Sequence, residues 1–407
     1  MDRMFLCRDM DYSRQVALEL LKPSKRELEH GLELHADALV CEAYGFAPRG
    51  PVPDDKVQGA YDVRSFANKF EQQMNCLYME DPALRAQCLR AWRYAGVNCV
   101  FLNAGIESMV PLELIKRLAR YTHVCDLYPG IYRRVVWPEQ VLELPKDGRI
   151  GLGFTTCGVP LVHELAPMEE SLYLLTVFFQ LGVRMMHLTY NRRNLLGDGC
   201  AEKADAGLSG FGRDVIREMN KVGIIVDVAH CGQRTSLEAA ECSELPVTAS
   251  HTAVGALTKH IRAKSDEVIR AIARRGGYVG ICTLPKFLQG EGNIRTFLDH
   301  VDYVAGNFGV DHVAIATDNA YFCGEPFHWG PKFKVHRRFE AYWPENPAPF
   351  EVTDEMEESL NWTNWPLFTV GLVQRGYSDD DIRKILSGNF MRVFTKAVEH
   401  IRRDPKD

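Results

Sequence analysis

Along this chain, short β-branched or apolar runs alternate with longer stretches in which apolar residues recur every three or four positions. The short runs read as strands over Leu32–Leu39, Asn98–Asn103, Ile150–Thr155, Val183–Thr189, Ile224–Ala229, Val247–Ser250, Tyr278–Thr283 and His312–Thr317. The longer ones read as helices over Val63–Tyr78, Leu84–Tyr94, Pro111–Tyr121, Glu169–Leu181, Gly210–Val222, Arg234–Cys242, Asp266–Arg275 and Asn293–Asn307. Strands that alternate with helices form parallel βαβ units, and eight such units predict a closed (β/α)₈ TIM barrel. An open doubly wound sheet is the rival. No G-x-G-x-x-G follows an early strand, which weighs against its dinucleotide-binding form.

The pattern is irregular at both ends. Residues 1 to about 30 predict an N-terminal helical extension, and 31–407 the barrel. From about 318 to 349 the chain is rich in aromatics, Pro and Gly and has no period. A loop of that length is commonly functional, and it leaves the end of the last strand, where barrel enzymes do their chemistry. It reads as an active-site cover shaped by Phe322, Phe327, Trp329, Tyr342 and Trp343. C-terminal helices over Met356–Arg375, Asp379–Leu386 and Asn389–Arg402 follow.

Composition narrows the class. The 407 residues are 46% hydrophobic and 25% charged, with a net charge of −6 and both signs interspersed, so neither nucleic acid nor an anionic membrane is expected as a partner. The first residues, MDRMFLCRDMDYSRQ, contain no apolar signal region, and no run is long enough to span a bilayer. The twelve Cys are scattered without a C-x-x-C pair, which suits free thiols in a reducing, cytoplasmic setting.

Four places carry candidate chemistry. His35 and Asp37, in ELHADAL, would share one strand face, and an imidazole with a carboxylate suits a borderline divalent metal. Taken alone, an H-x-D string is as readily a hydrogen-bonded pair in a loop. The apolar strand IIVDVA runs into His230, and VTAS runs into His251 one βα unit later, which would bring two imidazoles to the same rim. Either one alone is more often a satisfied polar residue; together with the H-x-D they favour a metal. Asp318 ends the strand HVAIAT, where it could bind metal or carry a proton; its ordinary alternative is a loop or N-cap Asp.

Three stretches then point to a family. LGVRMMHLTYN, GLSGFGRDVIREMNKVGIIVDVAHCGQRTSLEA and LPVTASHTA, all within Leu181–Ala253, resemble the membrane (renal) dipeptidases of the metal-dependent amidohydrolase group. FLDHVDYVAGNFGVDHVAIATD and RGYSDDDIRKILSGNFMRV are similar in the same way. The resemblance implies that His35 and Asp37 bind one metal and that His230 and His251 bind a second. It further implies that Arg262 grips a substrate carboxylate, as a guanidinium fork can, and that Asp318 transfers protons.

Two departures qualify the resemblance. The family's metal-bridging Glu at the end of strand three is absent: the strand reads GLGFTTC, and His163 and Glu164 in the following insertion are the available substitutes, although ordinary loop polarity explains both. One metal is therefore favoured over two, with Zn²⁺ as the leading identity. The family's oxyanion-steadying His is Tyr190 here, a hydrogen-bond donor without charge, or simply an aromatic packing residue. The expected function is metal-dependent hydrolysis of an amide bond in a dipeptide or N-acyl amino acid, that is, in a small molecule with a carboxylate, by a homodimer. The alternatives are a metal-dependent lyase, decarboxylase or oxygen-using enzyme on the same barrel, and a metal-free binding protein.

Overall fold

The computed structural model describes residues 3–5, 8–50, 81–106, 110–161, 168–324, 327–329, 343–344, 350–399 and 401. The expected helix Val63–Tyr78, His163, Glu164, Tyr342 and much of the stretch expected to cover the site lie outside them.

Eight parallel strands follow one another around the core: β1 Cys41–Gly45, β2 Cys99–Ile106, β3 Ile150–Cys157, β4 Val183–His187, β5 Ile225–Asp227, β6 Val247–Thr252, β7 Val279–Ile281 and β8 Val313–Ile315. Each pairs in parallel with the next, from β1 to β8. The seam between β8 and β1 closes just past the strand ends. There the Asp318 amide donates to Tyr44 O at 3.3 Å, and the Phe46 amide donates to Asn319 O at 3.1 Å. Beyond it, Ala320–Phe322 pairs in parallel with Ala47–Arg49. The result is the (β/α)₈ barrel that the alternation implies, with helices such as Gly210–Val222 and Asp266–Arg274 packed around it.

Seven of the eight expected strands lie where the pattern puts them. The first does not. Leu32–Leu39 belongs to a helix, Lys25–Asp37, and the first barrel strand is Cys41–Gly45. The local chemistry explains this. Ser24 accepts the Glu27 amide while the Glu27 carboxylate accepts the Ser24 amide, a capping box that starts a helix. Gly31, Leu34 and His35 then fall on one buried helical face. That face packs on helix Trp365–Gln374 so closely that a Cβ at Gly31 would meet Val370 at 2.7 Å. The helical N-terminal segment thus runs to residue 37, not about 30. The single helix expected over Met356–Arg375 is Asp354–Ser359, a short 3₁₀ turn Trp362–Asn364 and Trp365–Gln374.

The core fixes which end of the barrel is open. Cys41, Ala43, Cys99, Phe101, Met185, Ile225, Tyr278 and Ala314 fill the interior together with Phe390, Val393 and Phe394. The last three belong to helix Asn389–Glu399, whose rings lie 4.5 and 5.4 Å from Phe101. This helix plugs the N-terminal end of the barrel and leaves the C-terminal mouth for polar groups, as in barrel enzymes generally. The ten described cysteines are free thiols and eight are buried, so they pack as small hydrophobes. Among the described residues, no helix is long and apolar enough to cross a membrane.

Candidate active site

Side chains two apart on a strand share a face, so the residue two beyond an interior apolar residue reaches the mouth of the barrel. His187 follows Met185 on β4, and Asp227 follows Ile225 on β5. Cys157 ends β3 and His251 lies on β6, while His230 stands just past β5. All five side chains are buried.

These groups converge. The Nε2 atoms of His230 and His251 are 3.1 Å apart, and Cys157 Sγ lies 3.9 Å from His230 Nε2. The outer nitrogens are anchored: His230 Nδ1 by Asn191 Oδ1 at 2.7 Å, and His251 Nδ1 by the Ser250 hydroxyl at 2.8 Å. Burial, and after it the positive charge of Arg262, hold both imidazoles well below their ordinary pKa. Held in the neutral form, each can offer a lone pair to a cation. Asp227 Oδ1 accepts the Ala229 and Ser250 amides at 2.9 and 3.0 Å, and its Oδ2 lies 2.7 Å from His187 Nε2. Burial pushes the Asp227 carboxyl up, but the His187 contact and the bonds from Ser250 outweigh it, and its pKa falls below the usual value.

Asp318 follows β8 in the left-handed conformation, φ 53°, which an Asp tolerates better than most residues. Its Oδ2 is 3.9 Å from His251 Nε2. Burial raises its pKa to about 7, against the opposing charges of Arg262 and Arg49. Arg262 is buried, its Nε donating to Ala229 O at 3.1 Å and one Nη2 hydrogen to His251 O at 3.0 Å. Among the described residues it has no carboxylate within ion-pair distance. A buried guanidinium without a counter-charge is costly unless an anion is meant to arrive. The Tyr190 ring lies 4.6 Å from that of His230, and Tyr190 is hydrogen-bonded to Trp343, so the segment beyond Asp318 does reach over the mouth. Trp343 also lies 6.0 Å from Phe287, whose ring faces the Arg262 guanidinium at 5.2 Å.

His230, His251, Arg262, Asp318 and Tyr190 therefore share one pocket. His35 and Asp37 do not join them, and their assignment as metal ligands is corrected. His35 is a buried helix residue with both nitrogens occupied: Nε2 donates to Ala95 O at 2.9 Å, and Nδ1 meets the Thr369 hydroxyl at 2.8 Å. Burial lowers its pKa to about 4, so it serves as a neutral cap on helix Pro82–Ala95. Gly96 makes room for it, since a Cβ there would lie 2.8 Å from the ring. Asp37 is exposed and pairs with Arg383 at 3.0 Å.

The strand that does begin the barrel carries Glu42-Ala43-Tyr44. Glu42 turns away from the mouth, accepting hydrogen bonds from the Thr317 hydroxyl and amide and from Trp362 Nε1 at 2.8 Å. Tyr44 stacks on His251, with ring centroids 3.9 Å apart and planes 13° from parallel, and its hydroxyl meets Cys157 Sγ at 2.6 Å. A second cation on this side would face an aromatic ring where a carboxylate is needed, whereas His230 and His251 are placed to share an ion. Tetrahedral bonds of about 2.0–2.1 Å from zinc to nitrogen set two nitrogens ~3.3 Å apart, close to the spacing of His230 and His251.

The sequence reading missed His187, Asp227, Cys157 and Tyr44. Signals for two of them were present. A carboxylate inside the apolar run IIVDV must have a partner, and His187 has the same parity as an interior Met.

The description "Membrane dipeptidase (Peptidase family M19)" matches residues 106–326, more than half of the chain. The protein described as "Dipeptidase tcpJ" from Claviceps purpurea (strain 20.1) is 26% identical over 298 residues, 72% of this chain and 60% of that one. The chain thus spans about three fifths of the length of the curated relatives it matches. Among solved structures, an amidohydrolase from Pseudomonas aeruginosa superposes with a TM-score of 0.67 at 24% identity, covering 90% of this chain and 98% of that one. The probable dipeptidase PvdM from the same organism gives 0.66 at 18% identity, covering 92% and 99%. At such identities the superpositions speak for the barrel, while the sequence match over residues 106–326 speaks for the lineage. The chain belongs to the membrane dipeptidase family, peptidase family M19.

Proposed function

We propose that this chain is a metal-dependent hydrolase of the dipeptidase type, with one divalent cation, Zn²⁺ first, at the mouth of the barrel. The observation that carries the reading is the pair of neutral, buried imidazoles of His230 and His251, with Nε2 atoms 3.1 Å apart and each outer nitrogen anchored. When bound, such an ion lowers the pKa of a water and polarises a carbonyl.

The chain's own residues supply the rest. Asp318, with a pKa of about 7, is poised to take a proton from the attacking water and return it to the leaving amine. Arg262, with Nη1 unengaged among the described residues, receives the substrate carboxylate. Tyr190, pushed above its ordinary pKa by burial, stays protonated and can donate to a developing oxyanion. Trp343 and Phe287 wall the pocket and limit water. The substrate class is a dipeptide or N-acyl amino acid with a free carboxylate.

The direct experiment is turnover of a panel of dipeptides and N-acyl amino acids by chelator-treated protein, before and after addition of Zn²⁺, Co²⁺ or Mn²⁺. Activity that appears with metal and falls on amidation of the substrate carboxylate is the expected result. Metal-loaded protein that cleaves none of them contradicts the reading. A second reading draws on the donor set, which is rich in nitrogen and sulfur and has Tyr44 on the side where the family places a carboxylate: a non-hydrolytic metal enzyme. Preferential binding of a redox metal, without amide turnover, would favour it.

A further inference from the structure

Three imidazoles, not two, surround the centre of the mouth. The ring centroids of His187, His230 and His251 are 5.1, 5.1 and 5.0 Å apart, close to an equilateral triangle. A ring nitrogen of His187 lies within 4.8 Å of Cys157 Sγ and of a ring nitrogen of His230. A ring nitrogen of His187 also lies within 4.8 Å of donor atoms of Asp227 and His251.

The hydrogen bonding of the three rings follows one scheme. His230 and His251 each have one nitrogen held by a neighbouring side chain and the other turned to the shared centre. His187 has its Nε2 2.7 Å from Asp227 Oδ2 and 3.2 Å from the Ser250 hydroxyl. The Ser250 contact is the hydrogen bond and the Asp227 contact a close ion pair; among the described residues neither His187 Nδ1 nor Asp227 Oδ2, both enclosed, has a hydrogen-bond partner. A buried ring nitrogen is seldom left unsatisfied, and the carboxylate–imidazole–metal arrangement is the common setting in which one nitrogen is held by an acid while the other ligates. Asp227 is itself fixed by two backbone amides, so it can hold the ring at a set angle.

We propose that His187 is the third ligand of the cation, through Nδ1, and that Asp227 is the positioning residue that orients it. The inference rests on the single-metal reading above. It also resolves a shortage, because His35 and Asp37 are elsewhere and Tyr44 offers no carboxylate, which leaves His230 and His251 too few by themselves. Three imidazoles with one position open suit a catalytic zinc ion.

The test is Co²⁺ titration of the chelator-treated full chain, read by visible absorption and by metal retained after gel filtration, for wild type, His187→Gln and Asp227→Asn. Wild type is expected to bind one equivalent. His187→Gln should bind at least ~100-fold more weakly with an altered cobalt spectrum, and Asp227→Asn ~10–100-fold more weakly at unchanged stoichiometry. Wild-type affinity and spectrum in folded His187→Gln would overturn this inference and leave the single-metal reading intact. Folded wild type that binds no cobalt would sink that reading, and this inference with it. Should the variants fail to fold, X-ray absorption of zinc-loaded wild type decides: three imidazoles in the first coordination sphere support the proposal, and two refute it.

Discussion

Asp318 shows at the scale of one residue how backbone conformation serves the site. Its left-handed backbone, φ 53°, turns the chain at the end of β8 so that the carboxylate lies 3.9 Å from His251 Nε2. Such a conformation costs a non-glycine residue on the order of 1 kcal/mol. Asp318→Gly should therefore raise the thermal midpoint while abolishing turnover; calorimetry and a peptide assay on the same preparation check both. His35 is the opposite case. His35→Ala strips partners from Ala95 O and Thr369 and should cost about 1–3 kcal/mol in urea unfolding, with metal content unchanged. Loss of metal in a folded His35→Ala protein would restore the ligand role withdrawn above.

At the scale of elements, strand register aims the ligands. β7 passes so close to β6 that a Cβ on Gly280 would lie 1.7 Å from Ser250 O, and Ser250 is the residue that anchors His251. Gly280→Ala should force the strands apart, destabilise the fold by ~1–3 kcal/mol and weaken metal binding, as measured by unfolding and by metal retention. Most elements were legible in the sequence, because apolar strands such as Val247–Thr252 and amphipathic helices such as Gly210–Val222 carry a clear period. The first strand was not. Cys41–Gly45 is five residues long, is buried throughout and shows no alternation, and it holds a glutamate that distant Thr317 and Trp362 satisfy. The H-x-D string at His35 drew the reading onto a helix, where the capping box of Ser24 and Glu27 and the spacing of Leu34 were better guides. His230 and His251 were legible because each follows an apolar strand directly. His187 was less so, because its role depends on Asp227 in the next strand, a pairing that only the folded register brings about.

For the whole molecule, barrel closure and pH response meet at Glu42, which joins β1 to Thr317 beyond β8 and to Trp362. Burial raises its pKa to about 8 despite the opposing hydrogen bonds from Thr317 and Trp362. A carboxyl raised on folding adds stability below its ordinary value near 4.5, and that stability is lost as pH rises through about 8. Asp318, raised to about 7, acts in the same direction. The buried imidazoles of His35, His230 and His251, held below their ordinary pKa of 6.5, act in the opposite direction at lower pH, so the urea midpoint of metal-free protein should fall from pH 7 to pH 8.5. In Glu42→Gln the fall should be smaller, with the remainder due to Asp318; an equal fall in both proteins would remove Glu42 from the account.

In the proposed function, side chains from separate strands share one cation at the open end of the barrel. Anomalous X-ray scattering at the zinc edge, from crystals of the metal-loaded protein, tests it most directly. A single peak bounded by His187, His230 and His251 is expected. Two peaks, or a peak beside His35 and none among the three imidazoles, would contradict it.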